Sequence, residues 1–368
     1  MQMLAEIVDA VIGGDTHRDT HTLEICGPSG VPIATTTIRN DERGFARGLA
    51  WIADRAPGSR FVVALEGTRS YGLGLNRAAQ AAGLTVIEVE RPRRAGRRRG
   101  KSDPIDAHLA ALYALRLPAD RLPVPRAHGD REALRILLGA RRELVTARTR
   151  QVNRLRALLL GGDETDRDLA RGTLTDRRLS VLVRRRGRDR ETREQAVRRA
   201  ELRRLAIAIR LAVQELAANK DQLLSVVSVM APRLLDLVGI GPVSAAQAIV
   251  SWSHEGRCRN DAAFAALAGA CPLPASSGRV VRHRLNRGGD RQLNRALHDV
   301  ILTRGRVCPR THDYVQLRRA QGKSDNEIRR TPGLLTWEPA GVGIWASDVH
   351  FGVSNRRPST LARAIIDA

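Results

Sequence analysis

The stretch that decides the fold is EIVDAVIGG at residues 6–14, followed by HTLEIC at 21–26 and VPIATTTI at 31–38. Each is a short apolar or alternating run, and turn-forming residues separate the three. We predict three consecutive strands in an antiparallel meander. RFVVAL at 60–65 and LTVIEV at 84–89 predict two further strands.

Helical segments are predicted at 42–55, 70–82 and 104–116, alternating with the last two strands. Three strands followed by βαβα predict an α/β domain with a ribonuclease-H-like mixed sheet. A plain doubly wound sheet is the competing fold, but it needs a helix between the first strands, where only turns fit.

From residue 131 the pattern changes to long helices. Apolar residues alternate every three and four positions in 134–159, with Arg141 and Arg148 at seam positions, and again in 202–230. This pattern predicts a coiled-coil hairpin or a dimerisation arm. The polar, arginine-rich residues 161–200 between the two helices are predicted to form an exposed tip or loop.

A compact, mostly helical domain is predicted to begin near Leu234. The run LVGIGPVSAA at 237–246 places Gly239 and Gly241 between two apolar helical stretches. This spacing matches a helix-hairpin-helix, whose glycine turn exposes backbone N–H groups to a phosphate of DNA or RNA. The alternative is a structural turn between helices.

The formal net charge of +23 predicts a polyanionic partner, with nucleic acid as the default. The four cysteines are scattered without a CxxC pair, and no secretory or membrane-spanning run is evident. We expect a cytoplasmic, nucleoid-associated protein.

Four carboxylates stand out against this charge. Asp15 ends the first predicted strand and Glu66 the fourth, so parallel pairing of these strands would put both at one sheet edge. Asp103 and Asp106 are spaced i,i+3 and would lie on one helix face. Such a set suits Mg²⁺ and two-metal phosphodiester chemistry. Taken singly, these acids are equally typical of turns, and Asp103 of a helix cap before Pro104.

Basic residues follow the fifth strand in RPRRAGRRRGK at 91–101. The alternatives are a solvated loop and a clamp for backbone phosphates. The clamp residues would be Arg93, Arg94, Arg97, Arg98, Arg99 and Lys101.

A second chemical motif is CPLPASSG at 271–278. A serine at a glycine-adjacent turn amid arginines could attack a phosphodiester, because guanidinium groups stabilise the charge of the transition state. The alternatives are a plain turn serine and a phosphate-docking surface without catalysis. The arginines are Arg279, Arg282, Arg284, Arg287 and Arg291.

Taken in order, these motifs resemble those of a known family. GGDTHRDTH around Asp15, VALEGT around Glu66, KSDPIDA around Asp103 and Asp106, and the distal CPLPASSGRVVRHRLNRGGDRQLNRAL are similar to the DEDD transposases of the insertion-sequence one-ten family. The resemblance spans residues 8–330. It implies a RuvC-like resolvase domain, a coiled-coil linker and a C-terminal transposase domain with a nucleophilic serine.

The resemblance also implies the chemistry. The four acids would hold one or two Mg²⁺ ions, and Ser277, with Ser276 in reserve, would form a covalent 5′-phosphoserine link to DNA. The carboxylates of one subunit would meet the serine of another, so a homo-oligomer, dimer or tetramer, is expected. Some members are guided by a structured RNA encoded at the element end, so a guide RNA is expected besides DNA.

The predicted domains are 1–125 (RuvC-like), 126–232 (coiled-coil arm with an arginine-rich tip), 233–330 (transposase domain) and 331–368. The last segment contains three arginines and two of the four tryptophans, which suggests an atypical tail, frameshifted or disordered. A metal-dependent junction-resolving nuclease and an inactive nucleic-acid-binding copy are the alternative functions.

Overall fold

The computed structural model describes most of the chain up to residue 328. The described residues are 2–89, 103–127, 129–187, 189–253, 257–258, 261–271, 273–274, 283–284, 286, 288–323, 325 and 328. One compact unit contains Met1–Glu132 and Trp252–Phe264, and a second contains Ala133–Ser251 and the described residues from 265 onward. The predicted division into four domains stays a prediction, and the tail at 331–368 lies outside the described residues.

The first unit contains a five-stranded mixed sheet. Its strands are β1 (Ala10–Thr16), β2 (Thr20–Cys26), β3 (Pro32–Arg39), β4 (Phe61–Glu66) and β5 (Val86–Val89). Their order across the sheet is β3-β2-β1-β4-β5, with β1, β2 and β3 antiparallel and with β4 parallel to both β1 and β5. The predicted meander and the two later strands are confirmed, and the topology is compatible with a ribonuclease-H-like fold.

The first strand begins four residues later than predicted. Leu4–Glu6 forms a 3-10 turn instead, and Leu4, Ile7 and Val8 are buried in the core. The Leu4 N–H donates to the Leu117 carbonyl oxygen at 2.8 Å. The segment is apolar because it packs on the chain that follows the third helix, and the sequence pattern alone does not distinguish that packing from a strand.

Helices cover both faces of the sheet. They are α1 (Glu42–Arg55), α2 (Leu73–Ala81) and α3 (Asp103–Leu115), and each falls within about three residues of its predicted position. Asp41 caps α1 by accepting a hydrogen bond from the Gly44 N–H at 2.7 Å. Ile52 of α1 and Leu75 of α2 pack on one face of the sheet, whereas α3 packs on the other.

Two long helices, α4 (Gly129–Leu160) and α7 (Arg193–Met230), form an antiparallel hairpin, as the heptads predict. Polar residues bond across its seam. Arg141 Nη1 donates to the Leu216 carbonyl oxygen at 3.0 Å, and Asn219 Nδ2 donates to the Leu137 carbonyl oxygen at 3.0 Å. These contacts explain how an arginine and an asparagine fit at positions where a coiled coil ordinarily has apolar residues.

The segment between the two helices is a mostly exposed tip, as predicted, but it is helical and not a loop. Helices α5 (Glu164–Arg171) and α6 (Asp176–Arg184) fill it, and both begin with side-chain caps, from Asp163 and Thr175. Leu179 and Leu182 of α6 are buried in the cluster that closes the hairpin. Because only a few apolar residues are needed to seal a hairpin end, the arginine-rich composition concealed the packing.

The rest of the second unit is mostly helical. Its elements are α8 (Arg233–Asp236), α9 (Pro242–Trp252), α10 (Asp261–Leu267), β6 (Leu273–Pro274), β7 (His283–Arg284), α11 (Arg291–Val307) and α12 (Pro309–Ala320). The last residue of α9 and the first four residues of α10 belong to the first unit. Among the described residues, no helix has the length and apolarity needed to cross a membrane.

Candidate active site

Asp15 and Glu66 lie side by side at the carboxyl edge of two parallel strands. The register pairs Gly14 of β1 with Leu65 of β4, so one residue further on Asp15 stands next to Glu66. Neighbouring strands are about 4.8 Å apart, and residues in register point to the same face. Both carboxylates are buried, at 2% and 8% exposure. The expected parallel pairing is confirmed.

Helix α3, which contains a third buried carboxylate, packs on the same face of the sheet. A Cβ at Gly13 would lie 2.0 Å from the Ala107 carbonyl oxygen and 2.9 Å from the Ala111 nitrogen, so the helix backbone rests directly on β1. Gly13 shares a face with Asp15 because side chains alternate along a strand. Asp106, next to Ala107, is 5% exposed. Asp103 begins α3, and its side chain lies outside the described residues.

The loops after the two strands are fixed to one another. Thr16 Oγ1 donates to the Glu66 carbonyl oxygen at 2.8 Å. Gly67 follows with a φ of +68°, in the left-handed region that favours glycine. His17 Nε2 lies 3.1 Å from Asp15 Oδ2. These contacts fix the backbone around Asp15 and Glu66.

A tighter cluster, which the sequence interpretation missed, lies on the same face of the sheet around Glu24, which pairs with Gly13 of β1. The ligand atoms of Glu24, Cys26 and His108 lie within 4.8 Å of one another, and among the described side chains they are the one group of three so close. His108 Nδ1 is 2.5 Å from Glu24 Oε1, and the Cys26 thiol donates to the same oxygen at 3.2 Å. The only signal in the sequence is an acid at an inward position of the strand HTLEIC.

This cluster fastens α3 to β2. Burial raises the pKa of the Cys26 thiol to about 12, with the neighbouring Glu24 carboxylate adding to the shift, so the thiol stays protonated. Among the described side chains, Asp15, Glu66 and Asp106 do not form such a close group of three.

The glycine turn after α8 has a structural explanation. Gly239 has a φ of +86°, and a Cβ there would lie 3.0 Å from the Val300 carbonyl oxygen and 2.9 Å from Arg304 Cγ of α11. The Gly241 N–H donates to Ser244 Oγ at 3.0 Å. Helix α8 has four residues, and the helix-hairpin-helix with its phosphate contact stays a prediction.

The serine motif lies in a hairpin connection. Leu273 pairs with Arg284 and Pro274 with His283, and the residues that join β6 to β7 contain both Ser276 and Ser277. Those serines lie outside the described residues, as do Arg279, Arg282 and Arg287 and the basic segment with Arg93, Arg94, Arg97, Arg98, Arg99 and Lys101. The structure describes the backbone of Arg284 and places Arg291 at the start of α11.

The segment after that hairpin is held by polar contacts and by close packing. Asp290 Oδ1 caps α11 by accepting from the Gln292 and Leu293 N–H groups, and its Oδ2 accepts from Ser251 Oγ at 2.7 Å. Gly289 lies so close to Gly269 that a Cβ there would be 2.2 Å from the Gly269 nitrogen. The Gly-Gly-Asp run after the serine motif therefore has a structural role.

Two family models match the chain. Residues 12–162 match a model described as a transposase, of the DEDD type named for IS110, and residues 231–316 match the transposase IS116/IS110/IS902 family. The first range contains Asp15, Glu66, Asp103 and Asp106, and the second contains Ser276 and Ser277. A comparison with curated proteins finds no match. The mixed sheet, its buried carboxylates and these matches define a DNA transposase. The chain belongs to the IS110 family, the one-ten family that its motifs resemble.

Proposed function

We propose that this transposase cuts and rejoins the DNA of its insertion sequence with Mg²⁺ held by Asp15, Glu66, Asp103 and Asp106 and with Ser277 as the nucleophile. The observation that carries the proposal is the position of the buried Asp15 and Glu66 at the ends of two parallel strands, on the face that is covered by α3 with its buried Asp106.

The residues at this edge fit magnesium. Carboxylate oxygens are the ligands that this hard cation prefers, whereas the sulfur and nitrogen of the Glu24, Cys26 and His108 cluster suit softer metals. Bound Mg²⁺ supplies Lewis-acid stabilisation of the charge that develops on the phosphate. The fixed turn at Gly67 and the contact between His17 and Asp15 orient the carboxylates.

Ser277 is proposed to carry out the covalent step. Its Oγ attacks the scissile phosphorus and loses its proton to water, while the bond from phosphorus to the 3′-oxygen breaks. The leaving 3′-oxygen takes up a proton, so the products are a 5′-phosphoserine link and a free 3′-hydroxyl. A second 3′-hydroxyl then attacks the phosphorus of this link, which joins the DNA strands and releases the serine. The family match over residues 231–316, a range that contains Ser277, supports this assignment.

The surrounding arginines are proposed to bind phosphates. They are Arg279, Arg282, Arg284, Arg287 and Arg291 near the serine, and Arg93, Arg94, Arg97, Arg98, Arg99 and Lys101 after β5. The family membership further supports a structured guide RNA, a RuvC-like first domain, and a homo-oligomer formed through the α4–α7 hairpin. The turn at Gly239 and Gly241 is proposed as a helix-hairpin-helix contact to the nucleic-acid backbone.

The test is a covalent-adduct assay with the protein, its own element ends, Mg²⁺ and RNA transcribed from the flanking region. Ser277→Ala should abolish the serine-linked adduct and strand transfer while leaving DNA binding nearly intact. Ser276→Ala is the matched control and should retain both. An adduct that persists in Ser277→Ala and disappears in Ser276→Ala would move the nucleophile by one residue.

The same assay separates this function from a junction-resolving nuclease. A nuclease that uses an activated water would still cleave after Ser277→Ala and would lose cleavage after Asp15→Asn. A transposase of the proposed kind loses strand breakage in both variants.

A further inference from the structure

A second charged group lies near Glu66, on the opposite face of the sheet. Glu88 of β5 pairs in register with Leu65, one residue before Glu66, and is buried. Arg126 donates to Glu88 Oε2 from its backbone nitrogen at 3.2 Å and from Nε at 2.9 Å. Arg69 Nε lies 3.3 Å from Glu88 Oε1. One carboxylate is thus contacted by two guanidinium groups.

A third arginine joins this group from the first turn of α4. Arg131 Nη1 donates to the Arg126 carbonyl oxygen. Burial, together with repulsion from Arg126, Arg69 and Arg257, lowers the pKa of Arg131 to about 10, while Glu132 acts in the opposite direction. Three guanidinium groups therefore repel the Arg131 side chain.

Neutralising the single Glu88 carboxylate does not require three arginines. Arg126 alone satisfies both oxygens of the Glu88 carboxylate with its side chain. Arg69, which also contacts Glu88, and Arg131, which bonds to the Arg126 backbone, add repulsion among like charges that an incoming anion would relieve. The Arg69 side chain is 45% exposed, so the group is open to solvent. The positive end of the α4 helix dipole adds to the attraction for an anion.

The backbone couples this group to the carboxylate edge. Arg69 lies three residues after Glu66, within a turn closed by the Ser70 and Gly72 N–H groups, which donate to the Gly67 carbonyl oxygen at 2.8 Å and 3.1 Å. The Glu66 carbonyl oxygen is itself held by Thr16. An anion bound at Arg69 would lie at a fixed position next to the proposed catalytic edge.

We propose that Arg69, Arg126 and Arg131 bind a backbone phosphate of the nucleic-acid strand that enters the carboxylate edge. The ligand is a phosphodiester of that strand on the opposite side of the sheet from the reacting one, and guanidinium forks recognise its two free oxygens. The identity of the polyanion rests on the proposed function. Binding at these arginines does not depend on metal or on Ser277.

The experiment measures DNA affinity against salt concentration in EDTA, so that cleavage chemistry plays no part. With a labelled duplex DNA, Arg69→Gln and Arg131→Gln should each weaken binding roughly tenfold and should lower the magnitude of the log–log salt slope by about 1. Arg131→Lys should recover part of the loss because it keeps the charge. Arg126 is left intact because its loss would expose the buried Glu88.

Arg55→Gln is the matched control. Arg55 is exposed at the end of α1 and pairs with Asp54, so its removal changes the net charge equally without touching the group. Slopes for Arg69→Gln and Arg131→Gln that equal the Arg55→Gln slope would overturn the proposal. If thermal melting shows that Arg131→Gln is not folded at the assay temperature, the salt slope of Arg69→Gln, at the more exposed residue, decides the test. An RNA of the same sequence, run in parallel, distinguishes a DNA phosphate from an RNA phosphate.

The outcome is separable from that of the proposed function. Asp15→Asn should bind DNA in EDTA like the wild type and lose only the covalent adduct. A normal adduct assay with unchanged salt slopes would reject the arginine site alone, and altered slopes without any adduct would reject the proposed chemistry alone.

Discussion

Gly13 sets how closely α3 approaches the sheet. A Cβ at this position would collide with the backbone of Ala107, so Gly13→Ala should push the helix away and displace Asp106. We expect a loss of about 1–3 kcal/mol in the free energy of unfolding and loss of metal-dependent activity. Urea unfolding and the adduct assay measure the two effects.

Gly14→Ala is the matched control for Gly13→Ala. Its Cβ would meet the end of the flexible Leu65 side chain at 2.4 Å, on the other face of the sheet, and that side chain can rotate away. We expect a smaller loss of stability and retained activity. Equal effects of the two substitutions would contradict the role given to the α3 contact.

Glu88 gives the molecule a pH-dependent contribution to stability. Burial raises its pKa, but the hydrogen bonds and charges of Arg126 and Arg69 outweigh burial and leave the pKa below its ordinary value. The ionised Glu88 therefore stabilises the folded state at pH values above its unfolded-state pKa of about 4.3. This stabilisation is lost as the pH falls through its folded-state pKa. Glu88→Gln should cost about 3 kcal/mol at pH 7.

The difference between Glu88→Gln and the wild type should shrink as the pH of urea unfolding is lowered through about 4. Glu42→Gln, at an exposed acid in the first turn of α1, should cost less than about 1 kcal/mol. A Glu88→Gln effect that grows on acidification would contradict the direction of the shift.

At the scale of elements, the packing of α6 at the tip of the α4–α7 hairpin can be tested by comparing two neighbouring residues. Leu182 of α6 is 1% exposed, whereas its neighbour Val181 is 52% exposed. Leu182→Ala should cost about 2–5 kcal/mol because it leaves a cavity among Leu155, Leu202 and Leu205. Val181→Ala should change stability by less than about 0.5 kcal/mol. Thermal or urea unfolding compares the two, and an exposed loop would give the same small effect for both.

At the scale of the whole molecule, the proposed assembly of an active site from two subunits can be tested by mixing inactive variants. Asp15→Asn retains its serine and Ser277→Ala retains its carboxylates, so one intact site forms in a mixed oligomer if the two halves come from different subunits. We expect each variant alone to give no adduct and the mixture, after co-refolding, to give a fraction of the wild-type amount.

The control for subunit mixing is the double variant Asp15→Asn/Ser277→Ala combined with either single variant. With Asp15→Asn, no chain has an intact carboxylate set. With Ser277→Ala, no chain has the serine. Both combinations should therefore stay inactive. A mixture of the two single variants that also stays inactive, while native mass spectrometry shows mixed oligomers, would place both halves of the site on one chain.

The sequence by itself determined the strands, most helices and the order of the carboxylates. Alternation in HTLEIC, the capped start of α1 and the heptads of α4 and α7 are local signals, because secondary structure is largely written in spacings of two to seven residues. The position of Asp15 and Glu66 at strand ends was readable for the same reason. The parallel pairing of their strands follows from the alternation of strand and helix.

Tertiary structure decided the rest. The contact of Gly13 with Ala107, the fastening of α3 through Glu24 and His108, and the arginines around Glu88 join residues that lie far apart in the chain. No local pattern encodes such contacts, since they depend on which faces meet when the sheet is covered. The packed tip was missed for a related reason: a few leucines suffice to bury a hairpin end, and their effect appears only when two long helices bring them together.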